Sequence, residues 1–80
     1  MNQYIATFHS HFGAICYCKA LKTQGIDAKP MPVPRKVSSS CGTCVSYVHS
    51  CPIEVDDCEL DAVYIQVGDG LECVISVDDQ

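Results

Sequence analysis

Two cysteines three residues apart, Cys41 and Cys44, sit at the end of the most chemically loaded stretch of this chain, Pro32-Val33-Pro34-Arg35-Lys36-Val37-Ser38-Ser39-Ser40-Cys41-Gly42-Thr43-Cys44. A thiol reacts as its thiolate, and nearby cations, hydroxyl donors and backbone N–H groups stabilise that anion at neutral pH. Arg35 and Lys36 supply the positive potential, Ser38, Ser39 and Ser40 the hydroxyls, and Gly42 permits close approach of the backbone to a ligand. Each proline ring fixes its own φ and pushes the preceding residue toward extended structure, so the entry to the stretch is stiff. The pattern describes a loop presenting Cys41 as a nucleophile, with Cys44 placed to attack a mixed disulfide or other sulfur adduct on it. The plain alternative is a polar turn whose cysteines pack.

Three other groupings compete for a role. His9-Ser10-His11 falls where a first strand gives way to a first helix. That junction carries unpaired N–H groups and a positive dipole end, and so can receive an anion; His9 and Ser10 are its candidate binding residues. Capping is the ordinary job of such residues. Zinc needs a second ligand pair beside Cys41 and Cys44. Cys16 and Cys18, two apart on a helix, point to nearly opposite sides, and Cys51, Cys58, His9, His11 and His49 show no strong ligand spacing. No metal site and no cofactor are assigned. Cys16, Cys18 and Cys73 read as core filling, and Cys51 and Cys58 flank an acidic turn that a facultative disulfide could close. Tyr17, Tyr47 and Tyr64 read as packing residues, and the acids as a solvated surface.

Eighty residues make a single domain, 1–80, which buries roughly 60% of its unfolded surface. An apolar fraction of 48% supports a core, and no run approaches the ~20 apolar residues of a membrane span. Met1-Asn2-Gln3-Tyr4 lacks the basic and apolar regions of a secretory signal, and seven cysteines are an odd number for a disulfide scaffold. The expectation is a cytoplasmic protein with reduced thiols. The net charge of −5 argues against nucleic-acid binding. All five cations lie between Lys19 and Lys36, and of the ten acids Asp27 alone precedes Glu54. This split either pairs across the fold or gives a local field for a partner.

The elements that must position these residues follow from local pattern. Tyr4–Phe8 is a β-branched and aromatic strand. Ser10 suits the N-cap of a helix running to about Gln24, with Ala14, Cys18 and Leu21 facing a sheet, flanked by Ile15 and Tyr17, and Gly25 at the C′ position. Ile26–Val33 is a second strand, shortened by its prolines and near an edge. Cys44–His49 alternates as a strand, Cys51–Asp61 has room for one short helical turn, and Val63–Val67 and Leu71–Val77 form a hairpin around Gly68-Asp69-Gly70. The expected fold is α+β: a small two-layer sandwich, ferredoxin-like, in the order β-α-β-β-(short α)-β with a C-terminal hairpin.

Thr7-Phe8-His9-Ser10, the helix with Ala14, Leu21 and Lys22 closing at Gly25-Ile26, then Pro32-Val33-Pro34-Arg35 and Ser38-Ser39-Ser40-Cys41-Gly42 together resemble a family of small bacterial proteins described as selenium/sulfur carrier-like. The resemblance covers most of residues 4–47. It implies a cysteine, here Cys41, that carries sulfur or selenium as a persulfide or selenosulfide between donor and acceptor proteins. It also implies that Cys44 is dispensable. Cys18 stands where an acid is expected in relatives, and the second half lacks their long helix. Three functions therefore stand side by side: a carrier on Cys41, more an accessory protein than a stand-alone enzyme; a dithiol redox module of Cys41 and Cys44; and a non-catalytic interaction domain using the basic surface around residues 29–36.

Overall fold

The computed structural model describes residues 1–34, 42–55 and 58–76. Among these, one helix covers one face of a five-stranded antiparallel sheet. The elements are β1 (Asn2–Phe8), α1 (His11–Thr23), β2 (Ala28–Pro32), β3 (Thr43–His49), β4 (Leu60–Val67) and β5 (Gly70–Ser76), and the strands lie in the order β2-β3-β1-β4-β5. The small α+β architecture matches the sequence reading. The five expected strands are present, the C-terminal hairpin included, but the ferredoxin-like sandwich is not confirmed: the strand order differs, and the expected short second helix is missing from the described residues.

Two tyrosine hydroxyls account for the missing helix. The Tyr17 hydroxyl donates to the Ile53 carbonyl at 2.6 Å, and the Ile53 N–H donates to the Tyr47 hydroxyl at 3.0 Å. The backbone N–H and C=O of Ile53 are thus both satisfied without a helix, and Ile53 and Val55 pack on the core. Tyr17 lies at the centre of the core, 0% exposed, rather than on its flank. Its ring meets Phe8 at 5.0 Å and Tyr47 at 5.9 Å, and Tyr47 stacks on Tyr4 at 5.4 Å. Each such pair contributes ~0.5–1.5 kcal/mol beyond simple burial.

Local signals set the helix ends. Ser10, in extended conformation, accepts the Gly13 N–H on its hydroxyl at 3.2 Å. At the other end Gly25 takes φ +81°, with the Gly25 N–H on the Lys22 carbonyl and the Ile26 N–H on the Leu21 carbonyl, the two bonds of a Schellman motif. Gly13, Ala14, Tyr17, Cys18 and Leu21 form the buried stripe. At Gly13 a Cβ would stand 2.2 Å from the Cys58 carbonyl oxygen, so the first turn lies against the chain entering β4.

β1 occupies the middle of the sheet and β2 one edge, as its prolines require. The β4–β5 hairpin closes on a two-residue loop whose first position, Gly68, takes φ +58°. Cys73 proves exposed on the edge strand β5, where no second layer covers it, and not in the core.

Two outcomes test this packing. Gly13→Ala gains ~1 kcal/mol of intrinsic helix propensity but must push the Cys58 carbonyl away, and overpacking costs ~1–3 kcal/mol. The urea midpoint should fall; a rise would refute the close approach. Burial pushes the Tyr17 hydroxyl well above the ordinary phenol range and raises that of Tyr47. The unfolded chain therefore loses these protons first, so their stabilisation is whole below about pH 10 and is lost as pH rises beyond it. Phenolate absorbance should rise together with the loss of tertiary circular dichroism.

Candidate functional site

The site is built at the turn from β1 into α1. A β-bulge at Thr7 and Phe8 shifts the register against β4, so that Thr7 faces Ala62 and Phe8 faces Leu60. Bulges bend a strand and re-aim the residues beyond the bend. Here the bend brings His9 beside Glu59, whose carbonyl accepts the His9 N–H at 3.0 Å and whose backbone adopts φ +53°. The Ser10 hydroxyl, already capping Gly13, donates to Glu59 Oε1 at 2.5 Å. His9 Nε2 stands 3.8 Å from Asp61 Oδ1, an exposed pair of small energetic weight. The protein's own carboxylate thus meets the positive end of α1, and Ser10 serves as the cap.

The loop that bears the candidate thiol enters and leaves close by. The Val33 N–H donates to the Gly42 carbonyl at 3.1 Å, closing the base of the β2–β3 connection. Thr43, the next residue, shares a hydrogen bond of 3.1 Å with His11 Nδ1 in the first turn of α1. The second half of the Cys-Gly-Thr-Cys sequence and the His-Ser-His junction are therefore neighbours in space, a tertiary fact beyond sequence reach. Gly42 is exposed at this base. Arg35, Lys36, Ser38, Ser39, Ser40 and Cys41 lie outside the described residues.

Cys44, the second residue of β3, has its side chain on the sheet face away from α1, opposite Thr7 and Met31. It is 0% exposed, and its thiol donates to the Pro32 carbonyl at 3.7 Å. Cys18 is buried and donates to the Ala28 carbonyl at 3.5 Å. Cys58 does not pair with the exposed Cys51; it is buried against Cys16, sulfur to sulfur at 2.7 Å. Among the described residues no group of three or more His, Cys, Asp or Glu side chains is arranged to hold a metal ion. No helix among them is long and apolar enough to cross a membrane.

Sequence pattern does not single out Phe12. It sits between His11 and Gly13 in the first turn with 74% of its surface exposed, an apolar contact point beside the loop base. A phenylalanine on the polar side of an amphipathic stripe is the one signal that marks it. A shallow hollow on the opposite sheet face is lined by Gln3, Ile5, Met31, Pro34, Gln66 and Leu71, and so reaches the start of the same loop.

The model of the family described as "Putative Se/S carrier protein-like" matches residues 3–57, and the chain belongs to that family. The matched segment runs from β1 through β3 and ends before β4. No curated protein and no solved structure matches the chain.

Ser10→Ala removes the cap and the donor to Glu59 together. Cap loss alone costs ~1 kcal/mol, and the total should reach ~1–2 kcal/mol once Glu59 loses its charge-assisted bond. Glu59→Gln, which keeps an acceptor for the hydroxyl, should cost less; equal losses in urea unfolding would dismiss the Ser10–Glu59 contact.

Proposed function

We propose that this protein is a sulfur or selenium carrier in which Cys41 holds the chalcogen. The observation that carries the reading is the contact between His11 and Thr43, which sets the residues just after Cys41 against the first turn of α1. Glu59 and Ser10 already occupy the positive end of α1, so what this contact brings to a thiolate is the exposed His11 imidazole, a group able to stabilise a sulfur anion. Family membership over residues 3–57, which include the whole Pro-x-Pro-Arg and Ser-Cys-Gly pattern, supports the same residue. Arg35 and the hydroxyls of Ser38, Ser39 and Ser40 add cation and donors, and Gly42 leaves the approach open.

The transfer is a thiol exchange. The Cys41 thiolate attacks the outer sulfur of a donor persulfide, the donor S–S bond breaks, and the donor leaves as its own thiolate. Cys41 then bears –S–SH, and an acceptor thiolate takes the outer sulfur by the same step in reverse. Selenium follows the same course as a selenosulfide. Donor and acceptor are proteins that dock on the exposed rim formed by Gly42, His11 and Phe12. The chemistry belongs in the cytoplasm, where thiols stay reduced.

Cys44 favours the carrier over a dithiol module. A resolving cysteine must be reached by the adduct it attacks, and the Cys44 thiol is buried and turned to the Pro32 carbonyl. Incubation with a persulfide donor should add ~32 mass units, one sulfur atom, at Cys41. The adduct should vanish in Cys41→Ser and persist in Cys44→Ser. Equal labelling of all seven cysteines would defeat the proposal, and a Cys41–Cys44 disulfide formed in place of the adduct would select the redox module.

A further inference from the structure

We infer that Cys16 and Cys58 form a second thiol site, independent of the carrier loop, that closes to a disulfide by exchange with a low-molecular-weight disulfide. Their sulfurs stand 2.7 Å apart across a sequence separation of 42 residues. A covalent S–S bond measures about 2.05 Å, so a shift of well under 1 Å suffices.

The surroundings hold the pair in place by means other than the sulfurs. The Cys58–Glu59 backbone lies against Gly13, where even a Cβ would collide with the Cys58 carbonyl. The Glu59 carbonyl takes the His9 N–H, and its carboxylate takes the Ser10 hydroxyl. Cys16 lies one turn further along the same helix from those anchors. Both partners are thus positioned in the thiol form, and closure is an intramolecular step with high effective concentration. The two also differ in access: Cys58 is 1% exposed, whereas Cys16 is half-buried.

That difference orders the reaction. Cys16 loses its proton to solvent, and its thiolate attacks one sulfur of oxidised glutathione. The glutathione S–S bond breaks, and one glutathione leaves as a thiol. Cys58, its proton passing to water, then attacks the Cys16 sulfur and expels the second glutathione. Two protein thiols are oxidised by two electrons, and one external disulfide is reduced to two thiols. The product clamps α1 to the entry of β4.

The test uses the full chain incubated with oxidised glutathione, alkylated and digested. A peptide pair linking Cys16 to Cys58 should exceed any other linked pair about tenfold, and dithiothreitol should release it. Cys58→Ser should strand one glutathione on Cys16, whereas Cys16→Ser should leave Cys58 without an adduct. Complete alkylation of both cysteines in the treated wild-type chain, or linkage of either to another cysteine, overturns the inference.

Discussion

The absence of a side chain at residue 13 governs how this molecule assembles. α1 can settle against the chain entering β4 only because nothing projects from its first turn, and the Cys58 carbonyl occupies the space a methyl group would fill. That contact sets the rest of the corner. Glu59 comes within reach of the Ser10 hydroxyl and the His9 amide, the helix start is capped and its dipole answered, and Cys16 meets Cys58. A glycine near a helix start ordinarily weakens the helix. Here the tertiary approach it allows outweighs ~1 kcal/mol of lost propensity.

The second constraint is the satisfaction of polar groups in a layer with little helix to offer. One helix cannot cover five strands, and Ile53 and Val55 also pack against the core. Chain outside helix and strand leaves backbone groups needing partners, and Tyr17 and Tyr47 supply them from inside the core. The same rings fill the space between helix and sheet. Packing and hydrogen bonding are combined in two residues, which suits a chain too small to spend separate residues on each.

Features decided within a few residues are legible in the sequence. Ser10 and Gly25 mark the helix ends because capping is a matter of adjacent backbone groups, and Gly68-Asp69 marks the hairpin for the same reason. Val63–Val67 is legible as part of β4 because β-branched and aromatic residues crowd it. Tertiary pairing is not legible. By spacing alone Cys16 reads as core filling and Cys58 as a neighbour of Cys51, since position along the chain carries no record of which sulfurs a fold brings together. Cys73 reads as buried because its strand alternates, but an edge strand beyond the reach of α1 leaves it exposed. Length alone suggests the short second helix, and the tyrosine hydroxyls remove the need for it. The approach of Thr43 to the first turn of α1 is equally beyond local pattern, since it rests on a hydrogen bond to His11 between residues 32 apart.

The two borders of the sheet are unlike. In β2 the Val33 amide points inward to Gly42, so the alternating positions Pro30 and Pro32 turn their ring nitrogens outward. That margin has lost two donors and offers a poor template to another strand. β5 carries no proline and leaves Val74 42% exposed. Among the described residues, then, β5 is the better template for a foreign strand and β2 the poorer, so that any sheet extension would have a polarity.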